Sequence, residues 1–218
     1  MFDSILLKDI LKRFRIRQTQ QLYDLSHYML SNYTNYFTFN QLKESLEFNS
    51  VATVQKFAGY LEEPYLFQHL TRYDTKIKNQ QKSAQKVYII DNGFVKARSF
   101  ELSPNYGRLL ENLVFIELLR RNFQPELTLF YYRTRNDREI DFLVRTGNKT
   151  EQLIQVCYSM DQPRTIKREI SALIEASGEL KCNKLLVITW DREEVIEQNS
   201  LKIVVMPAFK WLTSEEQK

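Results

Sequence analysis

YYRTRNDREIDFLVRTGNKTEQLIQVCYS, residues 131–159, decides the fold of the second half of this chain. It reads as three short strands. Residues 129–134 are aromatic and apolar, 139–144 alternate into a buried run, and 153–158 are apolar with Gln155 set inside them. Arg135-Asn136-Asp137 and Thr146-Gly147-Asn148 supply the polar turns between them. A helix precedes this meander, GRLLENLVFIELLRR (107–121), with Glu111 near its start, and a second helix at 163–178 follows it. Pairing of the strands then carries Glu111, Asp141 and Gln155 towards one sheet edge, where chemistry could sit.

Further along, KLLVITW (184–190) and KIVVMP (202–207) read as strands and a short tail holds Trp211. The order α-β-β-β-α-β-β predicts a mixed sheet with helices on both sides. Glu117 lies on the same helix as Glu111, and only one of the two acids is needed at an edge site.

Upstream, residues 5–16 carry Ile5, Leu6, Ile10, Leu11 and Phe14 on one helical face. This segment is either a strut to another domain or a helix docked on its own chain. A helix is expected at 18–32, with Ser31-Asn32 breaking it. Thr38 caps a short helix at 39–48, and Ser50 caps another at 51–63 that stops at Pro64. Residues 65–70 and 86–90 read as strands flanking a lysine-rich stretch. Three helices followed by a two-stranded ribbon with a basic tip is the winged-helix order.

On that reading the helix at 51–63 presents Thr53, Gln55 and Lys56 to a DNA groove. Arg72, Lys76, Lys78, Lys82 and Lys86 of the ribbon lie on phosphates. The helix offers few arginines for base reading, and winged helices also serve as protein-interaction modules. Residues 91–104 are expected to be a connector. The chain is thus divided into a linking helix (1–17), a winged-helix domain (18–98) and a mixed-sheet domain (99–218), an α+β or α/β architecture overall.

Composition bounds the function classes. With 218 residues, 43% hydrophobic and 27% charged, the chain has room for one large or two small cores. A net charge of +4 allows an anionic partner without demanding one. Two cysteines, Cys157 and Cys182, point to a reducing compartment, and His27 and His69 are isolated. No leader and no long apolar run is present, so a cytoplasmic location without membrane contact is expected.

The residues of the second domain resemble the PD-(D/E)xK, restriction-endonuclease-like fold. That resemblance implies a Mg or Mn site in which Glu111 is the helix acid, Asp141 the strand acid, and Gln155-Val156-Cys157 stands at the E-x-K position. Glutamine offers one neutral oxygen, and Cys157 cannot supply an ammonium, so the site is expected to be degenerate. A cation displaced to the following helix would be Arg164, Lys167 or Arg168.

LLKDILKRFRI, SNY, TVQKFAGYLEEPYLF, KVYIIDNGF, GRLLENLVFIELLRR, REIDFLV and LIQVCYS extend the likeness over nearly the whole chain. Together they resemble the C-terminal half of prokaryotic AAA-type ATPases that carry a C-terminal domain of unknown function. No G-x-x-x-x-G-K-[ST] occurs, so ATP hydrolysis by these residues is not expected. The chain is read as either a piece of such an ATPase or a shortened stand-alone product. The resulting expectation is a DNA-binding or interaction region whose partner is DNA or a protein such as an ATPase domain, carrying a pseudo-nuclease and no enzyme activity. The alternative is a metal-dependent DNA endonuclease using Glu111, Asp141 and Gln155.

Overall fold

The computed structural model describes residues 2–5, 10–98 and 104–214, which form two compact units. Met1–His69 and Ser83–Pro104 make the first; Leu70–Lys82 and Asn105–Lys218 make the second.

In the first unit, α1 (Phe2–Ser4) and α2 (Lys12–Phe14) are single turns, and α2 ends at Arg15 in the left-handed region (φ 50°). Residues 6–9 of the expected first helix lie outside the described residues. What is described is docked on its own unit. Phe2 is buried against Phe67 and Phe94, Ile10 is buried, and Phe14 stacks on Tyr60 at 4.1 Å.

Next come α3 (Thr19–Ser31), β1 (Tyr36–Phe37), α4 (Phe39–Ser45) and α5 (Val51–Glu62). Both expected caps are present: Thr38 Oγ1 accepts from the Gln41 amide and Ser50 Oγ from the Thr53 amide, each at 3.1 Å. Such a side-chain oxygen satisfies an amide that the first helical turn leaves without a partner. β2 (Phe67–Leu70) precedes α6 (Ile77–Lys82), and β3 (Gln85–Ile89) lies between β1 and β2 in a three-stranded antiparallel sheet.

Three expectations are corrected here. The lysine-rich stretch is not a bare ribbon tip, because it contains α6. Lys86 is 2% exposed, with its ammonium 5.6 Å from the centroid of the Tyr36 ring, so it does not face solvent phosphates. The connector after residue 91 contains α7 (Asn92–Arg98), started by Asp91 Oδ1 accepting from the Gly93 amide at 2.7 Å.

The second unit is built on a six-stranded sheet ordered β4-β5-β6-β7-β9-β8. Its elements are α8 (Tyr106–Arg120), β4 (Leu129–Arg133), β5 (Glu139–Thr146), β6 (Lys149–Val156), α9 (Pro163–Leu180), β7 (Leu185–Thr189), β8 (Glu194–Gln198), β9 (Leu201–Pro207) and α10 (Ala208–Thr213). β6, β7 and β9 are parallel neighbours and the other pairs are antiparallel, so the sheet is mixed.

β8 is an edge strand that the sequence pattern hides. None of its residues EVIEQ is buried, so no buried alternation marks it, and Asn199-Ser200, both at positive φ, turn it into β9. Gly147 (φ 56°) turns β5 into β6. On one sheet face Ile140, Leu143, Leu153 and Val187 form the core with Ile170 and Leu173 of α9. Among the described residues no helix is long and apolar enough to cross a membrane.

Leu70–Lys82 groups with this second unit. Arg72 bridges Tyr131 in parallel, its guanidinium donates to the Arg133 carbonyl at 3.2 Å, and Tyr73 packs edge-on against Phe130. Arg72 is therefore a part-buried residue of the second unit, with one arm of its guanidinium spent on a backbone carbonyl.

Candidate functional site

A cleft of about 610 Å³ opens in the second unit. Glu111, Asp141, Gln155 and Cys157 all line it, together with Asn105, Arg108, Arg133, Asp137, Arg138, Glu139, Tyr158, Arg168 and Glu169.

Two features of the sheet bring these side chains together. One is register. Phe142 faces Ile154 across β5 and β6, so Asp141 and Gln155 stand one step further along the same pair. The other is a bulge. Phe130 faces Leu143 but Tyr132 faces Ile140, so Asp141 and Phe142 together oppose Tyr131. The extra residue breaks the two-residue alternation: Ile140 and Leu143 both enter the α9-side core while Phe142 stacks on Phe115 of α8. Asp141 is left at the cleft between the two faces. Asn105 starts α8, its Oδ1 accepting from the Arg108 amide at 3.1 Å, and Glu111 follows within the second turn, on the cleft wall.

Gln155, 6% exposed, is fully engaged. Its Oε1 accepts from the Asp141 amide at 3.2 Å, and its Nε2 donates to Glu169 Oε2 at 2.5 Å and to the Glu139 carbonyl at 3.3 Å. Asp141 Oδ2 accepts the Val156 amide at 2.8 Å. Gln155 thus crosslinks β5 to α9: both protons of its Nε2 are placed on acceptors, and its oxygen, which already accepts the Asp141 amide, is neutral where an acid would carry charge.

Glu169 is the residue the sequence reading missed. It is 3% exposed and its Oε1 accepts from Arg168 Nε at 2.9 Å. A signal was available, because Glu169 is an acid inside the buried stripe Glu169, Ile170, Leu173, Ala176 of an otherwise apolar helix face. Of the three candidate cations on α9, Arg168 lines the cleft, whereas Arg164 and Lys167 are exposed outside its lining.

Glu117 does not share the cleft. It forms a buried ion pair with Arg121 and a second pair with Arg120.

Charge in the cleft nearly cancels. Arg108, Arg133, Arg138 and Arg168 stand against Glu111, Asp137, Glu139, Asp141 and Glu169, a sum of 4 − 5 = −1. Arg133 pairs with Asp137 and, at 3.7 Å, with Glu139; Arg168 pairs with Glu169.

Among the described residues no group of three His, Cys, Asp or Glu side chains is placed to hold a metal ion. Asp141 and Glu169 are separated by the Gln155 amide, so the donor set does not fit the divalent site that the nuclease resemblance implies.

Cys157 cannot substitute for a lysine. Burial first, then the Glu169 carboxylate, push its thiol up to about 11, and Sγ donates to the Ser159 carbonyl at 3.0 Å. The thiol is neutral at physiological pH. Iodoacetamide at pH 8 should leave Cys157 unmodified in the folded protein, and labelling should rise only as pH approaches 11. Mass-spectrometric labelling of Cys157 at pH 8, as fast as that of a free thiol, would contradict this arrangement.

The nucleic-acid candidates of the first unit are partly committed elsewhere. Thr53 belongs to the Ser50 cap, while Gln55 and Lys56 are exposed on α5, with Lys56 over Tyr60 at 5.8 Å. Lys76, Lys78 and Lys82 are exposed.

Residues 106–209 match the family described as domain of unknown function DUF4143, and residues 1–103 match domain of unknown function DUF8612. An uncharacterized protein of Methanocaldococcus jannaschii is 33% identical over 96% of this chain and 48% of its own length. An uncharacterized protein of Haemophilus influenzae is 27% identical over 94% of this chain and 49% of its own. The chain spans about half the length of the curated relatives it matches. No solved structure matches it.

Proposed function

We propose that this chain is a nucleic-acid-binding region of an ATPase-like protein, in which a nuclease-like cleft grips the phosphodiester backbone without hydrolysing it. The observation that carries the reading is the Gln155 crosslink. An amide sits where the resemblance expects a metal-binding acid, and both its ends are spent on Asp141 and Glu169.

The arginines supply the grip. Arg138 and Arg168 expose 44% and 72% of their side chains, and a guanidinium has five donors, of which an ion pair uses only some. In the first unit α3, α4 and α5, with the antiparallel three-stranded sheet, support the winged-helix reading, with Gln55 and Lys56 of α5 towards DNA. These residues contain no G-x-x-x-x-G-K-[ST], so on this reading any nucleotide hydrolysis belongs to a partner ATPase domain.

A second reading, a Mg- or Mn-dependent deoxyribonuclease, has one observation in its favour: α9 delivers both a cation, Arg168, and an acid, Glu169, to the cleft.

Titration calorimetry with Mg and Mn, beside an Asp141→Ala control, separates the two, followed by binding and cleavage assays on linear and branched DNA. The expected result is no metal-binding heat, no cleavage, and DNA affinity that falls steeply with salt as released counterions are replaced. Arg168→Ala should weaken that affinity severalfold. Metal binding that vanishes with Asp141→Ala, together with metal-dependent cleavage, would establish the nuclease instead.

A further inference from the structure

Three aromatic rings adjoin in a row at the carboxyl ends of the two central parallel strands. Tyr158 follows β6, Trp190 follows β7, and Tyr106 is the first residue of α8. The parallel register pairs Val156 with Ile188, and the same offset brings Tyr158 level with Trp190, whose amide donates to the Tyr158 carbonyl at 3.2 Å. Tyr158 is the middle ring. Its centroid lies 5.4 Å from Tyr106 at 21° between planes and 5.6 Å from Trp190 at 31°. The first pair is stacked and the second tilted, and both distances lie within the range of favourable aromatic pairs.

The two end rings are open to solvent: Tyr106 is 56% exposed and Trp190 54%. Single exposed aromatics need no explanation, but a contiguous stack left in water forgoes apolar burial. Tyr158 also lines the arginine- and acid-bearing cleft, so the stack and the cleft share the end of β6. Carboxyl ends of parallel strands are where ligands of open α/β sheets bind.

We infer that the Tyr106–Tyr158–Trp190 stack is a platform for unpaired bases, so that the nucleic acid taken by the cleft is single-stranded. The inference rests on the nucleic-acid reading of the cleft. A base has a flat π-face that extends the stack at Tyr106 or Trp190. A duplex hides its base faces inside and cannot do this. The backbone of the same strand then runs past Arg108 and Arg168, both in the cleft wall. Stacking of this kind tolerates any base, so the platform selects strandedness and not sequence.

The test is binding of a short oligo-dT strand and of a mixed-sequence duplex, read by tryptophan fluorescence and by anisotropy of labelled DNA. Trp190 and Trp211 are the two tryptophans, and Trp211 is buried, so Trp190→Phe reports the Trp211 background. Oligo-dT should bind more tightly than the duplex and quench Trp190. Trp190→Ala and Tyr106→Ala should each weaken oligo-dT binding about tenfold and leave duplex binding unchanged, with Trp190→Phe retaining most of the affinity.

Equal binding of strand and duplex, unaltered by either alanine, would overturn the platform while the cleft reading survives. Failure to bind either nucleic acid would overturn both. Quenching by a proline-rich peptide in place of oligo-dT would overturn the platform and mark the stack as a peptide surface.

Discussion

Gln155→Glu is expected to destabilise the second unit by about 3 kcal/mol at neutral pH, because it sets a carboxylate against a buried acid where an amide now donates. Nε2 lies 2.5 Å from Glu169 Oε2, both residues are more than nine-tenths buried, and Asp141 borders the same point. Two carboxylates in such a place cannot both ionise without cost, so the new group should hold its proton to a higher pH in the folded state than in the unfolded one.

The sign of the pH dependence follows. Below an ordinary glutamate value of about 4.3 both states are protonated and the charge penalty is absent. It grows as pH rises, since the unfolded chain ionises first, and levels off above the raised folded value. Thermal melts of the wild type and Gln155→Glu from pH 4 to pH 9 should therefore diverge with increasing pH. Adding Mn should recover part of the loss in the variant alone, because a divalent cation neutralises acids that no longer share an amide donor. A variant as stable as the wild type across this range would mean that the Gln155 crosslink does not hold β5 to α9.

The second large effect lies on the far end of α8. Arg121→Ala should cost about 3 kcal/mol, the lower end of the range for removing one partner from a buried pair, since Arg120 remains beside the acid. Glu117 and Arg121 side chains are 8% and 9% exposed and meet at 2.7 Å. The Arg121 guanidinium also donates to the Trp211 carbonyl at 2.6 Å and lies 4.4 Å over the Trp211 ring, pinning α10 to the end of α8. The melting temperature of this unit should fall by about 10 °C.

Arg120, with Arg121 after it, holds the Glu117 carboxyl below its ordinary value of 4.5. A depressed acid contributes stability that is present above the unfolded value and is lost as pH falls through the folded one. The gap between wild type and Arg121→Ala should consequently narrow as pH drops below about 4.5. A gap that stays constant to pH 3 would assign the loss to the Trp211 packing and not to the ion pair.

Local chemistry was enough to read most elements. Thr38 and Ser50 are cap residues at the helix starts they predict, and the apolar runs of 129–133 and 185–189 are strands. Glu111, Asp141 and Gln155 were legible as a group because the turn between β5 and β6 sets Asp141 beside Gln155, and Glu111 lies near the start of the preceding helix. β8 was not, because an edge strand with glutamates at Glu194 and Glu197 carries no buried alternation. The role of Glu169 was not either: its place in the apolar stripe of α9 marked it, but its partners Gln155 and Arg168 are brought to it only by the fold.

Periodicity, caps and turns, which depend on residues a few places apart, were determined by the sequence itself: the three-helix start, the β4–β6 meander and the α9 face. Tertiary structure alone decided what depends on residues far apart. It grouped Leu70–Lys82 with the second unit through Arg72 and Tyr73, buried Lys86, made the bulge that turns Asp141 to the cleft, and set Tyr158 level with Trp190. Each of these outcomes is a pairing between residues of different elements, and all but the bulge span tens of residues. The energy of such a pairing comes from desolvation and cross-strand hydrogen bonding that exist only once both partners are in place.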